Sequence, residues 1–203
     1  DYMKLQWFGH GTLLVAERAD DGDYVWVNSN GTLSGTDYTN NLTFSRIRYQ
    51  KGAVLSHYAG DTFYMSEYVD AAGTTWTVRD VQPSIDFVNR RLLIGCRTTD
   101  MRHNVIYDLD AVLALEITRT WGGETAAEGV TEKKTETTSV EVRNLNRLTP
   151  LGSFRLPSYL NTGQTHQVYS YSHQGQAVWG DYVYWYEGQA IQQTGELYDG
   201  SVA

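Results

Sequence analysis

Cysteine is almost missing from this chain of 203 residues, in which Cys96 is the single example. One thiol cannot form an internal disulfide, and zinc sites that are built on several cysteines are excluded as well. Because Cys96 stands inside the apolar segment LLIGCR, we expect it to be a small buried residue. Cysteine usage does not fix the compartment, since secreted bacterial proteins often lack disulfides.

Long apolar runs and basic residues are scarce too. No run approaches the roughly 18 apolar residues of a transmembrane helix, so we predict no membrane insertion. The net charge is −8 and the isoelectric point is near 5.0, whereas a protein that tracks nucleic-acid phosphates needs a basic face. We therefore predict no nucleic-acid partner, although the net charge leaves room for a local basic patch such as Arg90, Arg91, Arg97 and Arg102.

The sequence motifs of cofactor and metal sites are also missing. No G-x-x-x-x-G-K-[ST] or G-x-G-x-x-G motif precedes a helical segment, and the five histidines do not form an H-E-x-x-H motif. The segment DLD at residues 108–110 lacks the further oxygen ligands of a calcium loop, and we interpret it as a turn. We predict no cofactor and assign no metal-binding residues.

Helical periodicity is rare, and its best candidate, residues 107–119, is short and ends in residues that favour strands. Elsewhere, apolar residues alternate or form short runs rich in Val, Ile, Tyr and Trp, bounded by Gly, Asp and Asn. Many short strands with turn residues between them predict an all-β fold, which is a sandwich, a barrel or a propeller.

A repeated layout favours the propeller. The segments GHGTLLVAERADDGDYVWV, QPSIDFVNRRLLIGCR and HQGQAVWGDYVYWYEG each contain a strand, a tight turn and a second strand. The first apolar residues after these turns, Tyr24, Leu92 and Tyr182, are separated by 68 and 90 residues. We interpret the polar residues 120–144 as an insertion, either a surface loop or an exposed hairpin, in one domain that spans residues 1–203. Without it the period is about 60–68 residues, and four strands in each repeat predict a propeller blade.

The segments GHGTLLVAE, SIDFVNRRLLIGCR, VIYDL and HQGQAVWGDYVYW resemble the β-propeller of phage receptor-binding proteins and teichoic-acid-biosynthesis-protein-C-like proteins. Helveticin-like bacteriocins carry a related domain, and similar proteins are secreted lectin modules of actinobacterial toxin particles. Residues 120–144 have no counterpart in this pattern. The motif D-x-x-N-R-L, which begins here at Asp86, carries one extra arginine.

The resemblance implies a propeller of about five blades, each a four-stranded antiparallel sheet. This chain supplies roughly three to four of them, and we expect it to be cut at both ends or completed by another chain. The implied function is recognition of a bacterial cell-surface glycopolymer such as teichoic acid. The implied setting is extracellular or virion-associated, as a module that targets a larger toxin or phage-tail-like particle to its target cell.

Three polar residues precede or begin the innermost strands of the predicted blades: His10, Ser84 and Gln174. Their imidazole, hydroxyl and amide groups suit hydrogen bonds to a sugar or polyol, and His173 stands beside Gln174. The alternative is that they satisfy one another and buried water inside the channel.

Aromatic residues make up 13% of the chain, and tyrosine contributes 15 of them. Tyrosine combines an apolar ring with a polar tip, which suits the C–H faces of sugars, but sheets also use aromatics to fill their cores. We predict exposed platforms at Trp7, Trp76 and Trp179, which lie near strand ends. In WGDYVYWYEGQ, residues 179–189, alternation puts three tyrosines on one face, which we expect to be mostly core between blades.

The enzyme alternative is a propeller glycoside hydrolase or lyase that acts on a cell-wall polysaccharide. It needs two carboxylates roughly 5–9 Å apart, and the candidates are Asp86, Glu17 and Glu67. Asp86 also fits a turn cap, and no G-x-S-x-G elbow occurs. We therefore predict a non-enzymatic binding module, with a protein–protein scaffold as the third alternative.

Overall fold

The computed structural model describes residues 1–8, 14–30, 32–34, 37–39, 42–56, 58–98, 102–125, 136–155 and 172–188. For residues 32–34, 37–39, 119–125, 136–140, 172–174 and 185–188 the description is limited to the backbone. Strands dominate these ranges and helices are short, so the all-β prediction is confirmed.

The strands of the described residues are numbered in chain order. They are β1 (Lys4–Gln6), β2 (Leu14–Ala19), β3 (Gly22–Ser29), β4 (Thr32–Ser34), β5 (Asp37–Thr39), β6 (Thr43–Arg48), β7 (Val54–Ser56), β8 (Asp61–Tyr64), β9 (Glu67–Val69), β10 (Thr75–Thr77), β11 (Asp80–Asp86), β12 (Arg91–Arg97), β13 (Arg102–Asp108), β14 (Ile117–Thr125), β15 (Glu136–Asn144), β16 (Gly152–Arg155), β17 (Ser172–Trp179) and β18 (Tyr182–Gly188). One α-helix, α1 (Leu109–Leu113), and one 3₁₀ turn, Leu145–Arg147, accompany them.

Two larger sheets organise these strands. The first sheet has the order β14-β15-β8-β6-β3-β2, and its strands β2, β3, β6 and β8 form an antiparallel series. The second sheet has the order β11-β12-β13-β16 and is antiparallel throughout. Short connections join β2 to β3, β11 to β12 and β12 to β13, whereas longer segments separate the other neighbouring strands of these two sheets.

The core lies between the apolar faces of these two sheets. Trp26, Phe44 and Phe63 stack in the first sheet, with centroid distances of 5.4 Å from Trp26 to Phe63 and 5.0 Å from Phe44 to Phe63. Val81 and Ile85 of β11 belong to the same buried cluster. Side chains alternate along a strand. The residues of β11 that alternate with Val81 and Ile85 therefore lie on the opposite face of the second sheet, and this face is more polar.

Three hairpins have the layout that the repeat predicted, and this prediction is confirmed. They are β2–β3, β11–β12 and β17–β18. Strand β11 lies against β3 and β6 on one side and against β17 on the other. In the part of the chain that the structure describes, the sheets do not close into a barrel or a propeller ring.

The described residues on either side of residues 126–135 form an antiparallel strand pair. Strands β14 and β15 pair antiparallel from Ile117↔Arg143 to Thr125↔Glu136. The end of β15 then joins β8 in parallel, through Arg143↔Phe63 and Asn144↔Tyr64. A hydrogen bond from Arg143 to Asp61 at 3.1 Å fixes this junction.

Two further predictions concern buried and helical residues. Cys96 is fully buried, as predicted, and burial raises the pKa of its thiol to about 12, so the thiol is not nucleophilic. Of the helical candidate, residues 107–119, only α1 is an α-helix. Asp108 caps its N-terminus by accepting the Ala111 N–H at 2.8 Å. None of the described helices is long and apolar enough to span a bilayer.

Candidate functional site

The hairpin β17–β18 turns sharply at Gly180 and Asp181. Trp179 and Tyr182 are the last paired residues before this turn. Gly180 has a φ of 58°, which is a left-handed conformation that glycine adopts without steric cost. The sequence therefore sets a short turn that holds Trp179 and Tyr182 side by side.

One face of this hairpin is aromatic and exposed. Trp179, Tyr182 and Tyr184 are 61%, 70% and 58% exposed, and together we call them the aromatic platform. Tyr184 pairs across the strands with Ala177, which lies on the same face and is also exposed. The alternation in the sequence was predicted correctly, but the expectation that this face is core is wrong for Tyr182 and Tyr184.

The opposite face of the hairpin packs on the second sheet. Gln176 and Val178 alternate with the exposed residues and are buried. The amide Nε2 of Gln176 donates to the backbone carbonyl of Gln82 at 3.3 Å. The contact with β11 is therefore what decides which face of the hairpin remains in solvent.

Polar side chains of β11 anchor the backbone of β17. The Ser84 hydroxyl oxygen accepts the Val178 N–H at 3.1 Å. A carboxylate oxygen of Asp86 accepts the Gly180 N–H at 2.7 Å. Because these two acceptors stand on the same face of β11, they hold both the strand and the turn of the hairpin in place.

Asp86 has four hydrogen-bond donors in all. Besides Gly180, the backbone N–H groups of Val88 and Asn89 and the Asn89 amide donate to it at 3.0, 3.1 and 2.7 Å. Burial by itself would raise the pKa of this carboxyl, but the bonds from Asn89, Gly180 and Val88 outweigh it and lower the pKa. The Asp86 carboxylate is therefore a structural anion that ties two hairpins together.

Gly95 of β12 leaves the space that Gln176 occupies. A Cβ atom on Gly95 would lie 2.6 Å from both the amide nitrogen and the amide oxygen of Gln176. Real Cβ atoms do not approach that closely, so a side chain at position 95 would force the Gln176 amide away from its contact with the Gln82 carbonyl. The small residue in LLIGCR is thus explained by the close approach of the third hairpin.

Charged groups near the turn are few and partly paired. The Arg91 guanidinium lies 3.4 Å from the Asp181 carboxylate and 3.5 Å from the Gly180 carbonyl oxygen. The Asp181 side chain is 92% exposed. The edge of the aromatic platform therefore carries an accessible carboxylate and one guanidinium.

The basic patch that the sequence contains does not form a free cationic surface. Each of its four arginines contacts a carboxylate: Arg90 with Asp110, Arg91 with Asp181, and Arg97 and Arg102 with Asp80. Paired guanidinium groups are weaker partners for a run of phosphates than free ones.

The predicted ligand-binding residues have different positions. Trp179 is in the aromatic platform, while Ser84 is buried and bonded to the hairpin. His10 lies outside the described residues. His173 and Gln174 belong to β17 where its pairing shifts between His173 and Gly175, and their side chains lie outside the description.

The two other predicted tryptophan platforms are not alike. Trp7 follows β1, is half-buried and has a φ of 64°, which is uncommon for a large residue. Trp76 donates to Asp70 at 2.8 Å, and Arg155 lies over its ring at 4.3 Å. Because Trp76 also packs edge-on against buried His103, the prediction of an exposed platform there is wrong.

The carboxylates that were considered for catalysis are engaged elsewhere or isolated. Glu17 accepts hydrogen bonds from Trp26 at 2.7 Å and from Arg46 at 2.7 and 3.0 Å. Glu67 is exposed on β9. Within the described ranges, no group of three or more His, Cys, Asp or Glu side chains is arranged to hold a metal ion.

Sequence reasoning missed Tyr182 and Tyr184 as surface residues. The sequence contained a signal for this position. The Gly-Asp turn is followed by strict alternation, which places Tyr182 and Tyr184 on the same face as Trp179. No protein-family model, curated protein or solved structure matches this chain. Among the described residues, the aromatic platform is the feature that indicates a function.

Proposed function

We propose that this chain is a carbohydrate-binding, lectin-like module and that the aromatic platform is its ligand surface. The observation that carries the proposal is the exposure of Trp179, Tyr182 and Tyr184 on one face of an anchored hairpin. Aromatic rings cover the apolar C–H faces of sugars, while the tyrosine hydroxyls and the indole N–H supply hydrogen bonds at the edges.

The rigidity of the hairpin supports a binding role. Ser84, Asp86 and Gln176 hold it from behind, so the backbone that carries the three rings is in place before a ligand arrives. A surface that is organised before binding avoids part of the entropy cost of association. Clustered exposed aromatics are also unusual on a protein surface unless they contact a partner.

The ligand class follows from the resemblance in the sequence. We propose a bacterial cell-surface glycopolymer such as teichoic acid as the target, recognised outside the cell. In this proposal the chain is part of a larger toxin or phage-tail-like particle and brings that particle to its target surface. The engaged carboxylates Glu17 and Asp86 favour binding without catalysis over the hydrolase or lyase alternative.

We further propose that the sheets are blades of a β-propeller. The support is the matching order of strands in the series β2-β3-β6-β8 and β11-β12-β13-β16. The position of β11 between β3 and β17 also fits, because the sheets of successive blades pack against one another in a propeller.

Binding to purified bacterial cell walls tests the function. Wild-type protein is incubated with walls before and after teichoic acid is extracted, and the bound fraction is measured by sedimentation. We expect binding to fall in a Trp179→Ala/Tyr182→Ala variant and to persist in Tyr2→Ala. Tyr2 is a matched control because it is as exposed as Tyr182, at 70%.

Each result has a clear meaning. Equal binding by the platform variant and the wild type would contradict a role for the platform. Persistent binding after teichoic acid is extracted would point to another wall glycan. Release of soluble glycan fragments over time would favour the hydrolase or lyase alternative.

A further inference from the structure

We infer that the chain has a second sugar-binding site, a groove beside the hairpin β2–β3 that takes a neutral hexose or a short neutral oligosaccharide. The inference rests on the proposed function, because it assigns the same class of ligand to a different hairpin. It is carried by a groove whose lining combines apolar side chains, a tyrosine ring and an exposed ion pair.

The groove has the size of a ligand site. Its volume is about 540 Å³, and clefts that hold small ligands usually have volumes of about 300–1,000 Å³. A short oligosaccharide therefore has room in it. We call it the β2 groove, and the residues that line it include Ala16, Arg18, Asp23, Tyr24, Val25 and Tyr49.

Most of these side chains share one face of the first sheet. Ala16 is directly opposite Val25, and Arg18 is directly opposite Asp23. Tyr49 comes directly after β6, where continuation of the register puts it opposite Asp23, and its backbone N–H donates to the Asp23 carbonyl at 2.8 Å. Residues that stand opposite one another on neighbouring strands lie on the same face, so apolar, aromatic and charged groups meet in the β2 groove.

The apolar part of the groove suits the C–H face of a sugar ring. Val25 is half-buried, Ala16 is exposed, and Tyr49 is 39% exposed. A tyrosine ring covers apolar C–H groups, while its hydroxyl reaches a hydrogen-bond partner at the edge. This is the combination of groups from which sugar binding was proposed for the aromatic platform.

The polar part of the groove is an ion pair. The Arg18 Nε donates to Asp23 Oδ1 at 3.2 Å, and the two side chains are 89% and 61% exposed. A guanidinium has further N–H donors and a carboxylate has further lone pairs, so the pair can also donate to and accept from sugar hydroxyls. Because its two charges cancel, the pair suits a neutral sugar and does not exclude a polymer that carries phosphates elsewhere.

The hairpin that carries the groove is held in place. The Tyr24 hydroxyl donates to Asp21 at 2.7 Å, and the Arg46 guanidinium lies over the Tyr24 ring at 3.5 Å. Arg46 in turn donates to buried Glu17 at 2.7 and 3.0 Å. The groove is therefore organised before a ligand arrives, which avoids part of the entropy cost of association.

The sequence links this hairpin to the hairpin of the aromatic platform. The tetrapeptide GDYV occurs at residues 22–25 and again at residues 180–183. In both copies the aspartate pairs with an arginine, Asp23 with Arg18 at 3.2 Å and Asp181 with Arg91 at 3.4 Å. The same tetrapeptide therefore places a carboxylate–guanidinium pair beside aromatic residues in two hairpins.

An NMR titration reads the two sites separately. The neutral disaccharide diacetylchitobiose is titrated into the uniformly ¹⁵N-labelled protein. The backbone N–H signal of Val25 reports on the β2 groove, and the indole N–H signal of Trp179 reports on the aromatic platform. We expect both signals to shift until they saturate, and each signal gives the Kd of its own site.

Substitutions in the groove should act on one of the two sites. We expect Tyr49→Ala to raise the Kd read at Val25 by about threefold to tenfold, because the ring contact is lost, and to leave the Kd read at Trp179 unchanged. Asp23→Ala should also weaken binding at Val25 alone. Asp110→Ala is the matched control, since Asp110 is 66% exposed and also pairs with an arginine, and it should change neither Kd.

Each outcome separates the inference from the proposed function. If Trp179 shifts and Val25 does not, the inference is wrong and the proposed function stands. The same holds if the Kd read at Val25 is unchanged in folded Tyr49→Ala and Asp23→Ala. If Val25 shifts and Trp179 does not, the β2 groove is a sugar site and the role of the platform is contradicted. If neither signal shifts, both are contradicted.

Discussion

Asp86 accepts the backbone N–H of Gly180 at 2.7 Å, and this bond between residues 94 positions apart joins two hairpins. This contact sets the position of the turn that presents Trp179 and Tyr182. The carboxylate is buried and has further donors in Val88 and Asn89, so it cannot leave the site without exposing several N–H groups. The surface that we assign to a ligand therefore depends on a buried anion behind it.

Replacement of Asp86 should destabilise the fold more than it alters the platform chemistry. We expect Asp86→Ala to lower the free energy of unfolding by about 1–3 kcal/mol, because four donors lose a charged acceptor. Urea denaturation followed by circular dichroism measures this. Val88→Ala is the control, since Val88 is an exposed side chain of the same turn. Equal stability of the two variants would contradict the anchoring role.

The loss of stability at acidic pH should also depend on Asp86. Its pKa in the folded protein lies below its ordinary value of 3.8, so its contribution is full above that value and is lost as the pH falls through the folded pKa. As the pH is lowered from about 5 to about 2, the melting temperature should therefore decline less steeply in Asp86→Asn than in the wild type. Asp110→Asn is the control, because Asp110 pairs with Arg90 at the surface and exposed pairs contribute little. If the melting temperature declines equally steeply with falling pH in the wild type and in Asp86→Asn, the protonation of this carboxylate is not linked to folding.

Ser84 and Trp179 should separate stability from binding. Ser84→Ala removes the acceptor of the Val178 N–H, and we expect a loss of about 1–2 kcal/mol in the free energy of unfolding with sugar affinity nearly unchanged. Trp179→Ala should do the reverse, since its exposed ring contributes little to packing. Paired measurements of unfolding and of binding to cell walls check this. A loss of binding in folded Ser84→Ala would instead place Ser84 at the ligand.

Gly95 and Gln176 should show strong energetic coupling. A methyl group on Gly95 would collide with the Gln176 amide, so Gly95→Ala should cost about 1–3 kcal/mol. In a Gln176→Ala background the same change should cost much less, because the colliding atoms are gone. A double-mutant cycle from urea unfolding gives the coupling energy. Additive effects would mean that β17 does not pack on Gly95 as described.

Much of the fold could be predicted because its signals are local. The three hairpins follow from alternating residues on either side of a turn, such as Gly180-Asp181, and from apolar runs bounded by polar residues. The exposed side of β18 could not be predicted in the same way. Alternation tells which residues share a face, but the face that is covered depends on the distant strand β11.

In the candidate site, too, features with a local sequence signal could be predicted and features set by distant contacts could not. Trp179 was predicted as an exposed residue because it ends a strand at a turn. Ser84 was predicted to face a ligand, and its partner is the Val178 N–H, which lies 94 residues away. A hydroxyl in a strand has the same sequence signature whether it binds a sugar or another strand, so only the tertiary contact distinguishes them.

The most direct test of a sugar-binding platform is an NMR titration of the uniformly ¹⁵N-labelled protein with acetylated chitotetraose, read at the indole N–H signals. We predict that the Trp179 signal shifts in proportion to the bound fraction. The Trp26 signal should stay in place, because that indole is buried and bonded to Glu17. A titration that leaves Trp179 unmoved while signals elsewhere shift would contradict the account.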